Sequence, residues 1–168
     1  MYPYNRNPQK NISIREDVAQ NPSATELSSD KRLLSLLELA LQETTQLMER
    51  YHHMMTEVDI LQPAENIIKS MYLDEKKHRK QLREAYYIMT GTAPKMPDTQ
   101  HAYTHTQITD PKNYMEETFL QELDCCDFYR NFLLCVPHND LRDIFFEILT
   151  DKQSHANIFP YLHSKYFC

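Results

Sequence analysis

The chain has 168 residues, a formal net charge of −6 and a single glycine. A chain of this length can bury one substantial core, and the scarcity of glycine argues against a β protein built on tight hairpins. It has no long basic run, no apolar stretch long enough to cross a bilayer and no apolar leader. We therefore expect a cytoplasmic protein without nucleic-acid or membrane partners.

The chain is predicted to divide into a tail and one helical domain. Residues 1–27 are rich in polar residues and proline without an apolar period, which predicts a flexible N-terminal tail. Residues 28–168 predict a single domain. Its first helix is expected from Ser29 or Asp30 to Val58, because apolar residues recur there at spacings of three and four in two adjacent stripes.

A second helix and a long connection follow. The helix is predicted from Pro63 to Thr90, and Gly91 suits the left-handed residue that ends many helices. Residues 92–110 contain two prolines and show no period. At about 3.3 Å per residue they can extend for about 60 Å, which exceeds the length of the neighbouring helices. We therefore predict a crossover that runs the length of the domain.

Two more helices complete the predicted domain. The third is expected from Pro111 to Cys135 and the fourth from Asp140 to Ser164, each with an apolar stripe at helical spacing. The sequence thus predicts an all-α protein, a four-helix bundle made of two antiparallel helical hairpins joined by one long crossover.

Each predicted helix carries polar residues within its apolar stripe. Burying a carboxylate without a partner is costly, so such groups should be paired or metal-bound. On the second helix, a carboxylate and an imidazole three residues apart share one face and can hold one metal. The five residues are Glu43, Glu75, His78, Glu122 and His155.

The polar residues also lie at a common level along the helices. Glu43 and Glu75 lie about 16 residues from the first short connection, while Glu122 and residues 152–155 lie about 15 to 17 from the second. At 1.5 Å per residue, all are about 23–25 Å from these connections. A solvated charged face has no reason to show this alignment. We therefore predict that the five residues converge on one metal site.

This pattern resembles the ferritin-like, rubrerythrin-type di-iron carboxylate family, which takes one glutamate from each of two helices and Glu-x-x-His from the other two. The segments from Asp74 to His78 and from Glu122 to Arg130 also look much like small bacterial ferritin-like proteins. The resemblance spans about residues 33–166 and covers five of six ligand positions. It implies a ferritin-like fold and a mono- or dinuclear iron site, with manganese or zinc as alternatives.

The sixth ligand position departs from the family pattern, because Lys152 stands where the family has a glutamate. Lysine brings a positive charge and no acceptor. In one alternative, Lys152 turns outward and Asp151 becomes a substitute ligand. In the other, the ammonium replaces a cation and pairs with Glu75 and Glu122. We favour the second alternative, because it leaves no carboxylate cluster uncompensated.

Two functions follow from these alternatives. With at most one metal, held mainly by Glu75 and His78 with Glu43, the resemblance implies a rubrerythrin-type oxidoreductase acting on peroxide or dioxygen. The resemblance implies a further iron site with four cysteine ligands, as in rubrerythrins proper, but the four cysteines here include no Cys-x-x-Cys pair, so the electron donor would be a redox partner protein. The cysteines are predicted to be reduced thiols. The alternative is a non-catalytic structural or interaction protein with a degenerate site, which Lys152 favours. The oligomeric state stays open, with a homodimer as one option.

Two tyrosines and two histidines near the predicted site are considered next. Tyr51 and Tyr129 follow the predicted ligands of their helices by seven or eight residues, and are either hydrogen-bond donors to those ligands or core rings. His52 and His53 are adjacent and cannot share a helix face, so we expect both at the surface.

Overall fold

The computed structural model describes the backbone of residues 22–95, 108–134, 136 and 139–168, and the side chains of these residues except 22–30, 139 and 140. The chain divides into two units, Met1–Arg32 and Leu33–Cys168. In the first unit, the described residues 22–32 are helical. The predicted tail lies outside the described residues up to residue 21, and its last six residues belong to a helix.

Helices make up all the regular structure of the described residues, which contain no strand. The elements in chain order are α1 (Pro22–Glu57), a short 3-10 helix (Asp59–Ala64), α2 (Glu65–Thr90), α3 (Pro111–Leu133) and α4 (Asn139–Tyr166). None of these helices is both long and apolar enough to cross a bilayer. The prediction of an all-α protein with four helices is confirmed.

Hydrogen bonds show that α1 and α3 run in opposite directions. Near the middle of α1, Glu43 accepts a hydrogen bond from Gln121 of α3 at 3.0 Å. Later in α1, His53 lies 3.3 Å from the hydroxyl of Tyr114, which comes earlier in α3. This order of contacts is that of two antiparallel helices.

The same reasoning applies to α2 and α4. Asp74 lies 3.2 Å from His155, whereas Gln81, later in α2, donates to Glu147, earlier in α4, at 2.7 Å. Tyr86, late in α2, donates a hydrogen bond to Glu38, in the first half of α1, at 3.3 Å, so α1 and α2 are antiparallel as well. Helices α2 and α3 therefore run in the same direction. Their connection therefore joins opposite ends of the bundle, as a crossover must, and residues 96–107 of it lie outside the described part of the chain.

Two helix starts differ from the prediction. Helix α1 begins at Pro22, seven residues before Ser29. Proline is well suited to a first helical turn, and the polar residues that follow lower helix propensity by only a few tenths of a kcal/mol each, so they do not stop it. Helix α2 begins at Glu65 because Pro63 lies within the 3-10 helix.

Other helix ends follow the expected local chemistry. Gly91 has a φ of 67°, and its N–H donates to the carbonyl of Tyr87 at 2.8 Å, so the predicted left-handed helix end is confirmed. Asp110 caps α3 by accepting a hydrogen bond from the N–H of Asn113 at 3.0 Å. Helix α3 ends at Leu133, two residues before the predicted Cys135.

The core of the unit Leu33–Cys168 lies between the four helices and is built mainly from leucine, methionine and aromatic side chains. His53 is also buried, with 5% of its surface exposed, while His52 is half-buried. The expectation of two surface histidines is therefore wrong for His53. Adjacent helix positions diverge by about 100°, and this divergence turns His53 toward Tyr114 of α3.

Candidate metal centre

Five polar side chains from three helices are buried in the core. Helices α2 and α4 each contribute two of them at a spacing of three residues, which puts both on one helix face. Each has no more than 2% of its surface exposed. They are Glu75 and His78 from α2, Glu122 from α3, and Lys152 and His155 from α4.

Lys152 points into this cluster and pairs with two carboxylates. Its Nζ lies 2.7 Å from Oε1 of Glu75 and 3.5 Å from Oε2 of Glu122. The alternative in which Lys152 turns outward is therefore wrong. The positive charge of the ammonium therefore compensates the charges of both carboxylates.

The pKa shifts in the cluster favour the charged forms. Burial alone would lower the pKa of Lys152, but the charges of Glu122 and Glu75 hold it well above its usual value. Burial would raise the pKa of Glu75, but Lys152 and the two histidines hold it well below its usual value. Burial likewise opposes protonation of His155, yet Glu122 and Glu75 raise its pKa to about 10. Two positive groups thus face two carboxylates.

The two histidines are held by carboxylates from the opposite helix. Nε2 of His155 lies 3.2 Å from Asp74, and Nε2 of His78 lies 2.9 Å from Asp151. Nδ1 of each ring faces inward, 3.4 Å from Oε1 of Glu75, and has no hydrogen-bond partner. The carboxylates therefore orient both rings so that Nδ1 points into the cluster.

Three of the buried residues can supply ligands to one metal ion. Glu75, Glu122 and His155 each offer a donor atom, and these atoms all lie within 4.8 Å of one another. One carboxylate oxygen of each glutamate and Nδ1 of His155 are buried without a hydrogen-bond partner. Carboxylate and imidazole are suitable ligands for iron, manganese or zinc. The residues fit a metal ion, although Lys152 shares their space.

The tyrosines have different roles. The hydroxyl of Tyr51 donates a hydrogen bond to Oε1 of Glu122. The Tyr51 ring stacks on Phe159, with 6.4 Å between ring centroids. Burial and the charge of Glu122 raise the pKa of Tyr51 well above its usual value, so the phenol keeps its proton. Tyr129 is a core ring that stacks on Phe145 at 6.4 Å.

Glu43 is not among the residues whose donor atoms come together. It is half-buried, and its Oε2 accepts a hydrogen bond from Gln121 at 3.0 Å. Of the five predicted residues, Glu75, Glu122 and His155 have donor atoms within 4.8 Å of one another, and this group contains neither His78 nor Glu43. His78 adjoins the group through Nδ1, 3.4 Å from Oε1 of Glu75.

The roles of Asp74 and Asp151 as histidine partners were missed in the sequence. One signal for them exists. Each aspartate directly precedes the first residue of the spaced pair on its helix, at Glu75 and at Lys152.

No protein-family model matches the chain, and comparison with curated proteins finds no match. The coarse fold and the buried cluster are therefore established by the structure alone, and the ferritin-like assignment stays a proposal.

Proposed function

We propose that this chain is a ferritin-like metal-binding protein whose core holds at most one divalent ion. Iron is the expected metal, with manganese or zinc as alternatives. The ligands are Glu75, Glu122 and His155, whose donor atoms already lie within 4.8 Å of one another. Lys152 takes the place that a second metal would have.

One observation carries this proposal, namely the orientation of the two histidines. Nε2 of each ring pairs with a carboxylate, that of Asp74 for His155 and that of Asp151 for His78, while Nδ1 faces the cluster 3.4 Å from Oε1 of Glu75, outside hydrogen-bond geometry. Histidines that bind metals almost always hold a carboxylate or carbonyl through the other ring nitrogen. The inward-facing Nδ1 atoms are therefore oriented as metal ligands would be.

The position of Lys152 supports one metal rather than two. In two-metal sites the ions lie about 3.5–4 Å apart and share carboxylate ligands. The ammonium of Lys152, 2.7 Å from Glu75, already uses one such carboxylate. A divalent ion about 4 Å from the ammonium is repelled by about 8 kcal/mol at an effective dielectric constant of 20. The three ligands must offset this repulsion for a first ion, and a second ion would add further repulsion while sharing the same carboxylates.

A bound iron would supply one-electron transfer to dioxygen or peroxide. With iron bound, the chain would therefore act as a rubrerythrin-type oxidoreductase. The chain's own residues would hold and orient the site. Tyr51 holds Glu122 through its hydroxyl, and Asp74 holds His155. The described cysteines are Cys125, Cys126 and Cys168, and all are free. Since the chain also has no Cys-x-x-Cys pair to hold an internal electron-donating iron site, electrons would come from a redox partner protein.

Metal counting tests the proposal directly. We expect protein loaded with ferrous iron under anaerobic conditions, and then desalted, to retain close to one ion per chain. Glu75→Gln and Glu122→Gln should each abolish retention. Glu65→Gln is the matched control, since Glu65 is exposed at the start of α2, and it should retain the parental amount. Retention of two ions, or equal retention by all variants, would refute the proposed site.

The charge balance of the cluster favours a second candidate function. Lys152 and His155 together can neutralise Glu75 and Glu122 without any metal. In that case the chain is a non-catalytic structural or interaction protein that has a ferritin-like bundle and a degenerate site. A ligand that binds only the folded state raises its stability. If ferrous iron, manganese and zinc all leave the melting temperature unchanged, this second function replaces the first.

A further inference from the structure

A groove on the surface of the bundle is the strongest feature that the core site does not use. It lies mainly along α2, reaches Met48 of α1 on one side, and is bordered by Pro94 beyond the end of α2. Its volume is about 810 Å³. The lining of the groove includes none of the proposed metal ligands, which are buried.

The groove is strongly positive on an acidic protein. Its lining includes four cations, and one carboxylate, Glu84. The whole chain has a net charge of −6, so this concentration of positive charge is local. The four cations recur at spacings of three and four residues on α2 and therefore share one helix face: Lys76, Arg79, Lys80 and Arg83.

Several of these cations are available to a partner. Lys76, Lys80 and Arg83 are exposed. Lys80 lies 3.8 Å from Glu84, a distance at which an exposed pair contributes little. Lys76 and Arg83 have no ion-pair partner within the part of the chain that the structure describes.

Apolar and aromatic groups flank the cations. Tyr87 and Ile88 line one end of the groove with 59% and 70% of their surfaces exposed, and Tyr72 lines the other end. From Tyr72 to Tyr87 the helix rises about 22 Å, at 1.5 Å per residue. An extended peptide covers this distance with about seven residues.

We propose that this groove binds an acidic peptide segment of a partner protein, about seven residues long in extended form, with an apolar side chain at the Tyr87 end. Carboxylates of the peptide would pair with Lys76 and Arg83 at the centre of the groove. The mixture of charge and apolar surface favours a peptide over a uniformly charged polyanion. The carboxylate of Glu84 would repel closely spaced phosphates, and the apolar surfaces of Tyr87 and Ile88 offer them no partner.

Fluorescence anisotropy with the full chain tests this inference. The probe is a labelled seven-residue peptide of alternating glutamate and leucine that ends in phenylalanine, and the control peptide has glutamine in place of glutamate. We expect the glutamate peptide to bind at least tenfold more tightly than the glutamine peptide. We also expect its affinity to fall as salt rises from 50 to 500 mM, because exposed charges are screened.

Two double variants with the same change in net charge distinguish binding in the groove from general electrostatic attraction to the protein. The double variant Lys76→Glu with Arg83→Glu should weaken binding at least tenfold. Lys69→Glu with Lys112→Glu makes the same change in net charge at exposed positions that do not line the groove, and should change affinity less than twofold. Circular dichroism spectra establish that both variants are folded.

Three results would overturn the inference: no binding of the glutamate peptide, equal losses in the two double variants, or tighter binding of single-stranded DNA or inorganic polyphosphate than of the peptide. None of these outcomes depends on a metal, so the groove and the core site are tested independently.

Discussion

The ammonium of Lys152 lies 2.7 Å from Oε1 of Glu75, and neither side chain is exposed to solvent. Taking two charges out of water is costly, and the pair persists because each partner compensates the other. Removal of one partner leaves the other charge buried and alone. Substitutions at Lys152 therefore report both on the stability of the core and on its capacity for metal.

Lys152→Glu should increase the number of metal ions bound. The substitution supplies the carboxylate that the family resemblance places here, three residues before His155, and removes a cation that repels a second metal. We expect ferrous iron to rise from at most one toward two ions per chain, with greater reactivity toward dioxygen or peroxide. Metal counts and anaerobic melting curves with and without iron provide the measurement.

The metal-free Lys152→Glu variant should be less stable than the parent, because the carboxylates of Glu75 and Glu122 would gain a third like charge beside them. Iron should restore its stability by mass action. The control is Lys152→Gln, which removes the charge and supplies no carboxylate. If Lys152→Glu binds no more metal than the parent, Lys152 does not occupy a ligand position of the family.

Lys152→Met should destabilise the metal-free protein at pH 7. Methionine keeps a similar length but leaves Glu75 and Glu122 without their cation, and breaking a buried pair in this way costs about 3–5 kcal/mol. Urea denaturation measures the loss. Adding Glu75→Gln to Lys152→Met should recover part of it, since one uncompensated charge is then removed. A single variant as stable as the parent would mean that the ion pair does not support the fold.

Asp74→Asn should weaken metal binding without touching a ligand. Asp74 lies 3.2 Å from Nε2 of His155 and orients the ring so that Nδ1 faces the core. Loss of such a partner typically lowers metal affinity about 10–100-fold. Competition with a chelator gives the affinity, and Asp124→Asn, an exposed aspartate of α3, is the control. Equal affinities of the two variants would show that the aspartate does not act through His155.

Gly91→Ala should lower the free energy of unfolding by about 1–2 kcal/mol, because a left-handed conformation is unfavourable for a residue with a Cβ atom. Gly91 has a φ of 67°, and no atom lies within 4 Å of a Cβ placed there, so the cost comes from the backbone alone. Gly91→Asn should cost less, since asparagine tolerates this region better. Urea denaturation of the two variants gives the comparison, and equal stability of alanine and glycine would contradict it.

The cysteines should differ in their reaction with iodoacetamide. Burial raises the pKa of Cys126 to about 11 and that of Cys125 still further, while Cys168 is exposed. Only the thiolate reacts, so about one in a thousand Cys126 side chains is reactive at pH 8. Peptide mass spectrometry should show Cys168 modified first among the three cysteines that the structure describes. The rate at Cys126 should rise about tenfold per pH unit toward 11, and a rate independent of pH would contradict the shift.

The sequence predicts most of the helical fold because the apolar stripes are long and regular. The α2 end at Gly91 was predictable as well, since a lone glycine after a helical run has a clear conformational role. The start of α1 was not. Residues 22–28 have no strong apolar period, and possible caps such as Ser29 and Asp30 suggested a later start than Pro22.

The candidate site was predictable where burial follows from a single helix. Glu75 and Glu122 lie in the middle of their apolar stripes and are buried, but Glu43 lies at the edge of its stripe and remains half-exposed. The pairs of Asp74 with His155 and of Asp151 with His78 depend on how α2 and α4 are aligned. The periodicity of one helix contains no information about that alignment.

The crossed aspartate–histidine pairs also have a mechanical consequence. Asp74 of α2 holds His155 of α4, and Asp151 of α4 holds His78 of α2. Sliding α4 along α2 by one turn, about 5.4 Å, would break both pairs in the same movement. The two pairs therefore oppose axial sliding of α4 along α2 near the middle of both helices, and they do so without a metal. The geometry of the centre would therefore persist when no ion is bound.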